Sequence, residues 1–192
     1  RGGVEQTVAL PVAKAEGIVL NIRNQTKDRL QGMIIASEAV QKAKKEVVVV
    51  GQAYGTIYYT GNEKLEDKAY QINIPKERFP TGIAQITVFT LDGTPLVERL
   101  VFINKNDELK FAINTSKPVY SARDKVDMSI IVKDADGNPV QGDFSIAVTD
   151  DQAVTIDKHS NNILSHLLLT SDLKGTIEKP AYYFDSQEAN AP

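Results

Sequence analysis

The chain has 192 residues, 42% of them hydrophobic and 24% charged, with 22 basic and 25 acidic side chains and a net charge of −3. Those proportions suffice for a buried core and argue against wholesale disorder, and the absence of a basic stripe argues against nucleic acid as a partner. Cysteine is absent, which removes disulfides, thiolate nucleophiles and thiolate metal ligands together. No apolar run approaches the roughly 20 residues of a membrane helix. The sequence opens Arg-Gly-Gly with neither initiator methionine nor signal peptide, and it is expected to be a processed chain or a piece of a longer one.

Val4–Leu10 and Gly17–Ile22 read as short strands separated by a proline and a Lys-Ala-Glu-Gly turn. Asn24–Gln31 is polar and turn-like. Met33–Ala36 is a short apolar run before Ser37–Lys44, where alanine and lysine behind a serine in the N-cap position predict about two turns of helix. Val47–Val50 is a fully apolar strand, Gly51 and Tyr54-Gly55 make a bend, and Thr56–Tyr59 is a second strand that Gly61-Asn62 closes. Tyr70, Ile72 and Ile74 alternate in the next strand, which Pro75 ends. Phe79–Gly82 turns the chain into Ile83–Thr90, and the hairpin Asp92-Gly93-Thr94-Pro95 leads to Leu96–Ile103.

The stretch from Glu108 to Asp151 reads as strand, turn, strand, hairpin, strand. Val126, Met128, Ile130 and Val132 alternate with Asp127, Ser129 and Lys133, and Phe144, Ile146 and Val148 alternate with Asp143, Ser145 and Thr149, so each run has one apolar face. Asp136-Gly137-Asn138-Pro139 supplies hairpin chemistry between them. The two Asp-Gly-x-Pro hairpins are similar turns rather than an exact repeat. Roughly seven strands fall before Asn104 and a fresh series starts at Leu109, which fits two sandwiches of about 100 and about 85 residues. The expected fold is all-β: two tandem immunoglobulin- or fibronectin-III-like antiparallel β-sandwiches, residues 1–105 and 106–192, with short helices. The polar Asn104–Asp107 linker, about four residues, is expected to hold them nearly end to end and to be cut by protease at Lys105, with a second site at Lys42–Lys45.

Ser160–Gly175 reads as a helix. Ile163, Leu164, Leu167 and Leu168 share one face, Ser160 or Asn161 caps the start and Gly175 closes the end. It is expected to pack across an open edge of the second sandwich, the alternative being a docking helix for a neighbouring domain. Leu173, Thr176-Ile177 and Ala181–Phe184 would return the chain in a final strand.

The segment Phe79–Ile103, FPTGIAQITVFTLDGTPLVERLVFI, resembles the closing hairpin of bacterial macroglobulin-like domains through Pro80, Gly82 and Glu98, Arg99, Leu100, Val101 and Phe102. Tyr120, Asp124-Lys125-Val126 and Asp136-Gly137 are similar to the opening of a following domain of that family. Asn162–Phe184 resembles a segment of large outer-membrane proteins of Gram-negative bacteria, in which such domains precede a TonB-dependent plug and barrel. The resemblance covers nearly the whole chain. It implies a non-catalytic module of the cell envelope whose partners are other domains of the same polypeptide or envelope proteins. Protease-trapping relatives carry a cysteine-glutamine thioester in a separate domain, and this chain has no cysteine to form one.

Candidate chemistry is sparse. His159 and His166 lack the further ligands of a zinc site. Asp157, His159 and Ser160 have the residue types of a hydrolase triad, but adjacent residues in one loop do not assemble around an oxyanion hole. Asp134, Asp136, Gly137 and Asn138 miss the spacing of a calcium loop and read as a hairpin turn. Asp150 and Asp151, at a strand end, could join a calcium site between domains. Tyr54, Tyr58, Tyr59, Tyr182 and Tyr183 could form a sugar platform, although tryptophan is absent and strand tyrosines pack cores equally well. No catalytic, cofactor or metal residue is therefore assigned, a weak glycan or peptide ligand stays open, and the alternative function is an accessory or carbohydrate-binding domain of a secreted peptidase or polysaccharide-degrading enzyme.

Overall fold

The computed structural model describes residues 9–12, 14–150, 152–154 and 157–184. The chain falls into two compact units, residues 1–79 with 84–101 and residues 80–83 with 102–192. It is an all-β chain of antiparallel sheets with a few short helices.

The first unit holds β1 (Ile18–Arg23), β2 (Arg29–Ala36), the five-residue α1 (Glu38–Lys42), β3 (Glu46–Ala53), β4 (Thr56–Lys64), β5 (Ala69–Pro75) and most of β6 (Gly82–Thr90) and β7 (Pro95–Ile103), whose outer ends, Gly82-Ile83 and Phe102-Ile103, belong to the second. These strands form one sheet in the order β1-β2-β5 and another in the order β4-β3-β6-β7. Period-two alternation gives each sheet one apolar face. Leu20, Leu30, Ile34, Ile72 and Ile74 of the first sheet, and Val47, Val49, Ala84, Ile86 and Val88 of the second, are at most 2% exposed. Burial of each large side chain among them is worth about 1.5–3 kcal/mol.

Phe79 ties the two layers together. It follows β5 and a single 3-10 turn, Lys76–Arg78, is fully buried, and packs its ring against Tyr58 of β4 at 5.5 Å. Its tip fills the space above Gly51 of β3, where an added Cβ would lie 2.7 Å from the ring. The β3–β4 register shifts between Gly51 and Gln52 at the same place. The glycine is required here for room rather than for a special backbone angle.

In the second unit β8 (Lys110–Thr115) pairs with β9 (Met128–Lys133), Phe111 opposite Val132 and Ile113 opposite Ile130. Beyond β9, Asp134 N–H donates to Asn138 C=O at 2.9 Å and Gly137 takes φ of 90°, a three-residue hairpin loop closing on a left-handed glycine. Val140 N–H still donates to Val132 C=O at 3.0 Å, after which pairing stops. Then α2 (Ile163–Ser165) runs into one π-helical turn, His166–Thr170, and a 3-10 turn occupies Pro180–Phe184. The Phe184 ring stands edge-on to Phe102 at 5.5 Å.

Several local expectations change. Val4–Val8 lie outside the described residues, and Ala9 and Leu10 carry no regular structure. Asn24–Gln31, expected to be turn-like, ends in strand: β2 starts at Arg29, because Arg29, Gln31 and Met33 are the outward positions of one amphipathic strand whose inward positions are Leu30, Gly32 and Ile34. Gly61-Asn62 does not close β4, which continues to Lys64 in register with β3, and the Tyr59 ring covers the bare Gly61.

Residues 143–149 form no strand. The hairpin register would set Phe144 opposite Met128, but Gly142 weakens the strand. The face it would join is also open, with Phe111 and Ile113 56% and 61% exposed, so pairing would bury little. The helix expected over Ser160–Gly175 is confined to Ile163–Thr170, and Asn162 caps it in a reciprocal box with Ser165. The strand expected at Ala181–Phe184 is the 3-10 turn.

Truncating Phe79 should therefore open a cavity between layers. Phe79→Ala is expected to destabilise by about 3–5 kcal/mol and Gly51→Ala by about 1–3 kcal/mol through overpacking. Urea unfolding followed by tyrosine fluorescence measures both; values below the first bound for Phe79→Ala would contradict the packing described.

Candidate functional site

Strand registers decide which backbone groups of β1 point outward. Ser37 N–H donates to Gly17 C=O at 3.0 Å and Ala36 N–H to Lys68 C=O at 2.9 Å. In an antiparallel ladder bonded pairs alternate, so Val19, Asn21 and Arg23 exchange hydrogen bonds with β2 through their partners Ile35, Met33 and Gln31. Ile18, Leu20 and Ile22 consequently turn their N–H and C=O groups to the outer edge, against which no strand pairs among the described residues.

The other three edges carry devices that discourage pairing. β5 ends in Pro75, β4 bears Glu63, Lys64 and the irregularity opposite Gly51, and β7 begins with Pro95 and carries Glu98 and Arg99. β1 reads Ile-Val-Leu-Asn-Ile-Arg, with no proline, lysine or bulge.

Two clefts run along the side of the unit where β1 and β7 both end their sheets. One, of about 560 Å³, has Gly17 and Ile18 on one wall and Thr90 and Leu96 on the other, with Val40 of α1 and Val47 among its lining residues. The other, of about 450 Å³, is bounded by Asn21, Ile22 and Arg23 and by Arg99, Leu100 and Val101, and reaches Gln31 and Gln71 on the outward face of the sheet.

The electrostatics of the two ends differ. At the first, Lys45 Nζ donates to Glu16 Oε1 at 2.6 Å, and that ammonium holds the Glu16 carboxyl below its ordinary value. At the second, the lining includes two guanidinium groups and no carboxylate. Arg99 Nη1 donates to the backbone C=O of Glu98 at 2.9 Å. The Glu98 carboxylate itself accepts from Gln85 and Thr87 of β6.

The residues singled out from sequence are dispersed. Asp157 Oδ1 accepts from the backbone N–H of His159 at 3.0 Å, and Ser160 N–H donates to Asp157 C=O, which makes the triad types a turn. His159 packs edge-on to Tyr182 at 5.7 Å, and His166 Nδ1 lies 3.1 Å from Thr170 Oγ1. Among the described residues no group of three or more His, Asp or Glu could hold a metal ion. Asp134 Oδ1 accepts from Asn138 N–H at 2.8 Å, so its carboxylate closes the hairpin, and that bond lowers its pKa. Asp150 Oδ1 accepts from Gln152 N–H at 2.9 Å, and Asp151 lies outside the described residues.

Of the tyrosines, Tyr58 belongs to the layer contact with Phe79, and burial raises the pKa of Tyr59. Tyr54 sits at a left-handed turn position, φ 49°. In the second unit Tyr182 and Tyr183 stand edge-on at 5.7 Å. The seam between β1 and β7 was not singled out by residue type. Its signal was the unblunted apolar run Ile18–Ile22, which becomes informative only once β1 is known to be an edge.

No protein-family model fits the sequence, and no curated protein aligns with it as a relative.

The Glu16–Lys45 pair makes the seam's first end sensitive to acid. A carboxyl whose folded pKa is depressed contributes stability that is complete above its unfolded value and is lost as pH falls through the folded one. Proton titration of Glu16 by NMR is expected to give a midpoint below that of an ordinary glutamate, rising toward it in Lys45→Met; an unchanged midpoint in the variant would refute the pairing.

Proposed function

We propose that the chain is a non-catalytic extracytoplasmic module of the macroglobulin-like β-sandwich class, a spacer or protein-binding arm of a larger, outer-membrane-associated polypeptide of the TonB-dependent receptor type. The observation that carries this reading is the first unit. Its two antiparallel sheets bury their faces against one another, and the residues bearing the family resemblance, Phe79–Ile103, form the hairpin β6–β7 together with the layer-bridging phenylalanine.

The second unit supports an interaction role from a different direction. Phe111 and Ile113 on β8 and Met128 and Ile130 on β9 share one face, and their exposures run from 36% to 61%. Apolar sheet faces of this kind are normally inner faces of sandwiches or contact surfaces. In this reading the open face is a contact surface for other domains of the polypeptide or for envelope proteins. No helix among the described residues is long and apolar enough to cross a membrane.

One observation favours a second reading. Asn21, Gln31 and Gln71 bring three side-chain amides to one cleft, the donor-acceptor set that sugar hydroxyls use, as an accessory carbohydrate-binding domain of a secreted enzyme would.

Fractionation of cells that make the protein, with an antibody to this chain, separates these outcomes. The envelope reading expects the chain in the outer-membrane fraction, degraded by added protease on intact cells where it faces outward and only after permeabilisation where it faces the periplasm. Recovery in the cytosol would contradict it, and recovery free in the medium joined to a hydrolase domain would favour the accessory reading.

A further inference from the structure

We propose that the outer edge of β1 receives an extended acidic segment of a partner protein as an added strand, with carboxylates on Arg23 and Arg99. The inference rests on the reading of the chain as a protein-binding module, but not on where in the cell that module resides.

The backbone supplies the first part. Ile18, Leu20 and Ile22 offer alternate N–H and C=O groups in the pattern an incoming strand needs. Edge strands left long, apolar and unblunted invite pairing, and β1 alone among the four edges of the unit is in that state.

The side chains supply the second part. A strand added to β1 alternates its side chains across the sheet. One set falls beside Ile18, Leu20 and Ile22, where apolar residues are favoured. The other falls beside Val19, Asn21 and Arg23, where charge is favoured. Arg23 and Arg99 line the same cleft, and neither makes an ion pair with an acidic side chain among the described residues. At the other end Lys45 is already paired with Glu16 and Lys14 also lines the cleft, so the unmatched charge of the seam is positive, with its two guanidinium groups at the Arg23 end. An alternating apolar and acidic segment fits both demands. Guanidinium groups pair carboxylates through two parallel hydrogen bonds, which selects the charge that the ladder alone would not.

The probe is a capped nine-residue peptide of alternating valine and glutamate, labelled for fluorescence anisotropy and added to the whole chain. Saturable binding is expected, weakened about tenfold or more in Arg23→Glu with Arg99→Glu and less in the double glutamine variant, all with unchanged urea midpoints because both side chains are exposed. The same peptide with lysine for glutamate should not bind, and N-methylation of alternate residues, which removes the ladder donors, should abolish binding. Equal binding of the N-methylated peptide, or of an acidic sugar such as oligogalacturonate, would overturn strand addition in favour of charge alone or a glycan. Absence of peptide binding to the folded chain would overturn it outright. Neither failure bears on the cell fractionation that tests the module reading, and a cytosolic location would leave the peptide result standing.

Discussion

Two open sheets that bury their faces against each other still end in four strands whose outer backbone groups have no partner within the unit. Those groups must be solvated, blunted or taken up by another strand. In the first unit three edges are managed locally, by Pro75, by Pro95 with its neighbouring charges, and by the irregularity and charges of β4. The fourth, β1, is not. Its open edge, more than any residue of catalytic type, carries the proposed interaction, because it sets a hydrogen-bonding template beside a cleft that holds two arginines.

The edge is backed by two closely packed layers. The alternating leucines, isoleucines and valines of the two sheets supply the burial, and Phe79 fixes the separation by occupying the room that Gly51 leaves. The second unit lacks such an arrangement among its described residues. Its two-stranded sheet leaves Phe111 and Ile113 more than half exposed, and two strands alone bury too little to stand without a facing layer. Its helical turn is held instead by the local box of Asn162 and Ser165, with Ser165 fully buried.

Much of the first unit was legible in the sequence because its strands are amphipathic and long. Tyr70, Ile72 and Ile74 marked β5, and Asp92-Gly93 marked the turn into β7. Polar outward positions misled where they came first, as at Arg29 and Gln31, which look like loop until Leu30 and Gly32 are counted with them. The same rule overcalled residues 143–149: alternation states that a segment could pair, not that it does, and Gly142 interrupts the run that would extend the hairpin from β9. The helix boundary failed for a local reason, since three consecutive polar residues, Ser160, Asn161 and Asn162, can all cap and only the reciprocal bond with Ser165 distinguishes them. The seam itself was invisible, because edge status is a property of strand order and not of any one strand.

Amide hydrogen exchange of the free chain, read residue by residue by NMR, tests the open edge most directly. The registers predict alternation within β1: slow exchange for Val19 and Asn21, whose N–H groups are bonded to β2, and fast exchange for Leu20 and Ile22, whose N–H groups face outward. Uniform protection of all four would show that the edge is already covered and would contradict the account.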